Sequence, residues 1–376
     1  MNAVIVIPTY NEKGNIERLI EILEEEIFPT IQNHNMYILV ADDNSPDGTA
    51  EVVKEYIKKY KNIEITTGEK KGLGAAYVRG MNYAIEKMNA QILFEMDADL
   101  FHDPNKISDF LQKIDEGYDF VVGTRYSGGG SIPKDWGLHR KIMSVWGNIF
   151  IKVLFGRKGI HDWTGGYRAV KKEVFLKEKE KLGAFTGYTF QVGFLWNAVK
   201  DGFKIAEVPF NAKDRTHGKS KIPGMQTIIK TLAFVFKVRF QEIATGSFGK
   251  FLVVGGIGFT LQFIIYWYLA HNTNLLLGVA SWIAAQLAIF SNYNLNNLWT
   301  FKERKAHSFS EYVIKMVGFF LSSNIGVIVI QSGIVQLSEY LFGRKYPLVY
   351  FIVATGVLLI YNFTMYSKVI WKRKPH

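Results

Sequence analysis

At 376 residues the chain exceeds one average domain, and the lack of cysteine excludes a disulfide framework and a thiolate metal site. The net charge of +11 suits nucleic acid or an anionic membrane surface. Much of that excess flanks apolar stretches, so a bilayer is preferred and a nucleic-acid partner is not expected.

Composition changes along the chain. Up to about residue 241 charged residues mix with short apolar runs, and from Phe251 onward long stretches carry almost no charge. Residues 2–8 form only a strand-length apolar run, without the basic segment and cleavage site of a secretory signal, so the first half is expected to stay cytosolic.

Short β-rich runs at residues 4–8, 37–41, 63–66, 92–96 and 120–123 alternate with helical periodicity, which predicts βαβ units and a parallel sheet. Ile16, Leu19, Ile20 and Leu23 fall on one helix face, and Asp47 or Thr49 is placed to cap the next helix. Ligands of such open sheets sit at the carboxyl ends of the strands.

Two polar loops occupy the first two ends: Pro8-Thr9-Tyr10-Asn11-Glu12 and Asp42-Asp43-Asn44-Ser45-Pro46-Asp47-Gly48-Thr49. Their acidic groups can accept from a base N–H, and Pro8 and Tyr10 can flank a planar ring. The same residue types also make ordinary turns and caps. Lys71-Gly72-Leu73-Gly74 opens a helix where backbone N–H groups can approach a phosphate or sugar. It has neither the GxGxxG pattern nor the Walker lysine, which disfavours a dehydrogenase or P-loop nucleotidase.

Asp97-Ala98-Asp99 follows the run at 92–96. Carboxylates two residues apart at a strand end can face one cation, and hard oxygen donors suit Mg²⁺ or Mn²⁺ bridging the diphosphate of a nucleotide-sugar. A solvated acidic turn is the alternative, and the flanking loops weigh against it. Arg125 closes the next strand and can hold a phosphate bidentately. Arg140, Arg168, Arg215, Lys219 and Lys221 add cations near the expected membrane surface, for an acceptor phosphate or for lipid headgroups.

Residues 222–240 are apolar but interrupted by Lys230, Lys237 and Arg239, and read as an interfacial helix or a packed helix of the first half. Stretches 251–270, 275–293, 312–337 and 348–370 each approach the roughly 20 residues needed to cross a bilayer. The loop at 271–274 is uncharged, whereas Lys302, Arg304 and Lys305 and the tail residues Lys372, Arg373 and Lys374 are basic. Despite Arg344 and Lys345 in the third loop, the balance places both termini in the cytosol.

Taken in order, these loops together with Gly123-Thr124-Arg125-Tyr126 and Glu207-Val208-Pro209-Phe210 resemble family 2 glycosyltransferases, in the dolichyl-phosphate mannose synthase and polyprenyl-phosphate glycosyltransferase branch. The stretches Asp162-Trp163-Thr164-Gly165-Gly166-Tyr167-Arg168 and Arg215-Thr216-His217-Gly218-Lys219-Ser220-Lys221 are similar to acceptor-side motifs of that branch, and residues 250–255 and 292–301 to a GtrA-like domain. The resemblance implies an α/β fold of GT-A type over residues 1–215, interfacial helices over 216–246 and an all-α four-span membrane domain over 247–376.

It also implies a nucleotide-sugar around Pro8, Tyr10, Glu12, Asp42, Asp43, Lys71, Gly72 and Ala98, a metal at Asp97 and Asp99, and Arg125, Arg140, Arg215 and Lys221 toward the acceptor phosphate. The implied reaction is inverting transfer of a hexose, mannose from GDP-mannose before others, to dolichyl or polyprenyl phosphate. A UDP-glucose donor, a hydroxyl acceptor, and a non-catalytic lipid carrier are the alternatives. Phe101 stands where the family usually has Gln, Gly165 where Ser is common and Gly193 where Glu is common. No Gln-x-x-Arg-Trp motif of processive synthases occurs, which favours a single transfer.

Overall fold

The computed structural model describes residues 1–157, 159–183, 188–213, 225–275 and 277–372. The chain divides into two compact units, Met1–Lys237 and Val238–His376.

The first unit is built on strands β1 (Asn2–Thr9), β2 (Asn35–Asp42), β3 (Ile63–Thr67), β4 (Ile92–Glu95), β5 (Phe120–Thr124), β6 (Arg168–Lys171) and β7 (Ile205–Pro209). Among the described residues they form one sheet in the order β3-β2-β1-β4-β6-β5-β7. All neighbours are parallel except β6, which runs antiparallel to both β4 and β5. Ala3 to Ile7 of β1 are buried on both faces, as a central parallel strand covered by helices requires.

The helices of this unit are α1 (Lys13–Glu21), α2 (Thr49–Lys59), α3 (Leu73–Met88), α4 (Ile107–Asp115), α5 (Leu138–Phe155), α6 (Lys172–Leu182) and α7 (Tyr188–Lys200), and α8 (Met225–Thr245) begins in it and runs past Lys237. Ile16, Leu19, Ile20 and Leu23 are fully buried against the sheet, as their spacing implies. The cap of α2 differs from expectation. Gly48, in the left-handed region, holds the cap position, and Asp47 accepts the Thr49 N–H at 3.0 Å instead.

Register sets what reaches the carboxyl edge. Thr9 pairs with Asp42 and Val6 with Glu95, so the loops after β1, β2 and β4 emerge side by side.

The second unit contains α9 (Ser247–Asn272), α10 (Leu277–Leu295), α11 (Phe309–Ile325), α12 (Ser332–Phe342) and α13 (Pro347–Met365). Among the described residues, three stretches are long and apolar enough to cross a membrane: Ser247–Leu269, Phe309–Ile330 and Ile352–Ile370. The remaining expected stretch, 275–293, falls on α10. One aromatic cluster, Phe251, Tyr293, Phe301, Phe319, Tyr366 and Trp371, packs these elements together. The Trp371 indole donates to Asn297 Oδ1 at 3.1 Å, and Arg304 donates to the Trp371 carbonyl at 2.8 Å.

Candidate active site

At the tip of β1, Thr9 is held by its neighbour strand. Its hydroxyl donates to Asp42 Oδ1 at 2.8 Å, and Ser45 gives Asp42 two further donors at 2.8 and 2.6 Å. Asp42 is 1 % exposed, and these three hydrogen bonds hold its carboxylate in the shape of the loop. Asp43 is gripped by Arg79, Nη2 to Oδ1 at 2.8 Å, and the same nitrogen donates to the Asp42 carbonyl at 3.1 Å. Glu12 accepts from Asn15 Nδ2 at 2.7 Å, and Lys70 lies 3.3 Å from the Tyr10 ring centroid.

The glycines before α3 have separate reasons. Gly72 adopts φ +100°, with open space where a Cβ would stand, so backbone conformation requires it. A Cβ on Gly74 would lie 2.8 Å from Phe190, which makes it a packing glycine. Lys71 is exposed and pairs with Glu69 at 3.2 Å.

Asp97 follows β4 with 32 % of its side chain exposed. Tyr77 donates to Asp97 Oδ1 at 3.3 Å. Burial and the nearby Asp97 charge hold the Tyr77 phenol well above its usual range, so it stays a neutral donor. The Asp97 N–H donates to His102 Nδ1 at 3.1 Å, and the His102 ring stacks on Tyr167. Asp99 accepts the Phe101 N–H at 3.1 Å across a turn in which Leu100 takes φ +61°. The Ala98 methyl group joins the apolar core, between the two carboxylates.

Asp103 Oδ1 accepts the Asn105 N–H at 3.2 Å and caps the following helical turn.

Arg125 does not present an open fork. It pairs bidentately with the buried Asp162, Nε to Oδ2 at 2.7 Å and Nη2 to Oδ1 at 2.8 Å. Asp162 also accepts the Gly165 N–H at 2.9 Å. A Cβ on Gly165 would come within 3.1 Å of the Gly123 carbonyl and 3.2 Å of the Asp162 carboxyl carbon, so a side chain there would be tightly packed. Arg140 lies over the Trp136 ring, 3.7 Å from its centroid. Arg168 is an interior residue, fully buried beside Glu95, and leaves the group of surface cations. Arg215, Lys219 and Lys221 lie outside the described residues.

Residue-by-residue reading misses two features. Asp162 and Phe101 hold the loops that carry Arg125 and Asp99. The other is α5, which exposes Leu138, Ile142, Trp146 and Val153. The spacing of those four was a visible signal of one unpartnered apolar face.

The fold and this site together define a GT-A-type α/β unit, with a carboxylate pair at the tip of a central strand, joined in one chain to an apolar helical unit. The sequence profile of Glycosyl transferase family 2 matches residues 4–177, and that of the GtrA/DPMS, transmembrane domain, matches residues 250–371. A polyprenol monophosphomannose synthase of Mycolicibacterium smegmatis is 36 % identical over 223 residues, covering 59 % of this chain and 81 % of that protein. A dolichol-phosphate mannosyltransferase of Pyrococcus furiosus is 30 % identical over 331 residues, covering 88 % of each. Among solved structures, glucosyl-3-phosphoglycerate synthase of Mycobacterium tuberculosis in complex with Mn²⁺ and uridine-diphosphate-glucose is 19 % identical, with a TM-score of 0.44, covering 63 % of this chain and 78 % of that one. The chain belongs to glycosyltransferase family 2 and carries a GtrA/DPMS transmembrane domain; it is a membrane-bound glycosyltransferase.

Proposed function

We propose that the enzyme transfers mannose from GDP-mannose to a dolichyl or polyprenyl monophosphate, with inversion, at the cytosolic membrane face. The observation that carries this reading is the Asp97 and Asp99 pair beside the β1 and β2 loops. The names of the two curated relatives, both mannose transferases to a polyprenol or dolichol phosphate, supply the donor sugar and the acceptor class.

Asp97 and Asp99 would hold a divalent cation, Mg²⁺ or Mn²⁺. Their hard oxygen donors fit one, and Asp97 keeps part of its carboxylate open. Among the described residues no group of three or more His, Cys, Asp or Glu side chains is arranged to hold a metal, so this pair is the chain's contribution. When bound, the cation supplies charge neutralisation to the departing diphosphate.

Pro8, Tyr10, Glu12, Asp42, Asp43, Lys71, Gly72 and Ala98 receive the nucleotide-sugar, the buried Asp42 side chain shaping the loop that does so. Arg140, Arg215 and Lys221 receive the acceptor phosphate, and Arg125, fixed by Asp162, serves the same group. The acceptor oxygen forms a bond to the anomeric carbon as the bond to the diphosphate oxygen breaks, and the electron pair leaves with the nucleoside diphosphate. A phosphate monoester with a second pKa near 6 is already largely ionised at neutral pH, so no general base is needed. The chain's work is alignment and charge stabilisation.

Residues 216–246 form the interfacial segment between a catalytic domain at 1–215 and a four-span domain at 247–376, with α10 as the second span and both termini cytosolic. Exposed Ile229, Phe236 and Phe240 on α8 support an in-plane helix, and the exposed face of α5 supports a second one.

Asp99→Ala tests the metal-site assignment. Sugar transfer to polyprenyl phosphate is expected to fall by at least about a hundredfold while membrane insertion is unchanged. Turnover at the wild-type rate would remove Asp99 from the chemistry.

A further inference from the structure

Phe101 follows the carboxylate pair, and its surroundings face away from metal chemistry. Its ring stacks on Trp136 with centroids 5.9 Å apart and planes 10° apart, and Phe210 and His102 pack edge-on at 6.4 and 5.7 Å. On the Trp136 ring lies the Arg140 guanidinium, 3.7 Å from the centroid. Arg125 lies 6.0 Å from the Phe101 centroid. Phe101 and Trp136 thus form a stacked pair, with Arg140 against Trp136 and Arg125 within 6.0 Å of Phe101.

We propose that Phe101 and Trp136 form an aromatic shelf that positions Arg140 for the acceptor phosphate. This rests on the acceptor reading given above. A guanidinium held over an indole has its position fixed by the ring, and its planar fork is the geometry that matches a phosphate bidentately. Arg140 sits in the first turn of α5, its N–H donating to the Gly137 carbonyl at 3.0 Å, so the backbone fixes one end of the side chain and the shelf fixes the other.

Trp136 is 7 % exposed, and its indole N–H has no hydrogen-bond partner among the described residues. The ring is thus held by stacking, at the cost of a buried donor left unpaired. Phe101 is anchored from the other side, because its N–H closes the turn on Asp99. One turn then serves both substrates, with Asp99 toward the donor side and the ring of Phe101 supporting the acceptor cation. Phe101 and Trp136 are positioning residues, acting through Arg140.

The test uses the full chain in detergent, with farnesyl phosphate as the lipid-phosphate probe. Calorimetric binding without donor is expected to weaken roughly 3- to 30-fold in Trp136→Leu and in Arg140→Lys, which keeps the charge and loses the plane. The acceptor KM should rise by the same factor while the donor KM stays within about twofold. Trp136→Phe, which retains a ring, should recover most of the affinity. Undiminished binding by Arg140→Lys, or equal rises in donor and acceptor KM, overturns the shelf. Should Trp136→Leu fail to fold, Arg140→Lys and Trp136→Phe decide the matter. A wild-type chain that binds no farnesyl phosphate sinks the acceptor reading and the shelf with it, whereas wild-type binding that the variants leave intact sinks the shelf alone.

Discussion

Glu95 and Arg168 face each other across β4 and β6, Nε to Oε2 at 4.0 Å, with neither side chain exposed. Burial raises the Glu95 carboxyl, the Arg168 charge opposes the rise, and the net result is about 7. Arg168 also donates to the Gly165 carbonyl at 2.9 Å, so the pair ties the strand that leads to Asp97 to the loop that holds Arg125 through Asp162. A buried ion pair stabilises little against an apolar replacement, but losing one partner strands a charge, at roughly 3–5 kcal/mol. Glu95→Gln is therefore expected to lower the thermal midpoint of the catalytic unit by several degrees, and Glu95→Met with Arg168→Leu to recover most of that loss. Scanning calorimetry of the full chain checks both, and an unshifted Glu95→Gln would contradict the pairing. The sequence reading sets Arg168 among surface cations because an arginine carries no local sign of burial; only the antiparallel register of β6 opposite Glu95 turns it inward.

At the scale of elements, α3 shows how packing overrides propensity. A Cβ on Gly80 would lie 2.5 Å from Val6 Cγ1 and 3.3 Å from the Ala41 Cβ, so the glycine lets the helix approach β1 and β2 closely. Propensity alone would make Gly80→Ala stabilising by about 1 kcal/mol. Overpacking costs about 1–3 kcal/mol, so net destabilisation is expected, read as a lower denaturation midpoint. A higher midpoint would mean that β1 yields to the methyl group. The first five strands were legible because each is a short apolar run of β-branched, aromatic or leucine residues that ends in polar or turn residues. β6 was not, since Arg-Ala-Val-Lys is short and charged at both ends, and β7 was visible only as the Glu-Val-Pro-Phe motif. Site residues on strand tips were likewise legible as types. Their division of labour was not, because whether Asp42 meets a ligand or Asp43 an arginine depends on hydrogen bonds between distant loops.

At the scale of the whole molecule, one chain holds both a strand-tip site and a GtrA/DPMS transmembrane domain, which suits the proposed water-soluble donor and lipid acceptor. The boundary in composition near residue 241 lies close to the division of the two units after Lys237. The exposed apolar residues of α5 and α8 are the surface that the proposed interfacial placement would bury in lipid. The decisive measurement is transfer from radiolabelled GDP-mannose, alongside UDP-glucose, to undecaprenyl or dolichyl phosphate by the purified full chain with Mn²⁺ or Mg²⁺. The expected result is label in the organic phase as an inverted mannosyl phospholipid, dependent on the phosphate of the acceptor. Label from UDP-glucose instead, or transfer only to a hydroxyl acceptor, would contradict the account.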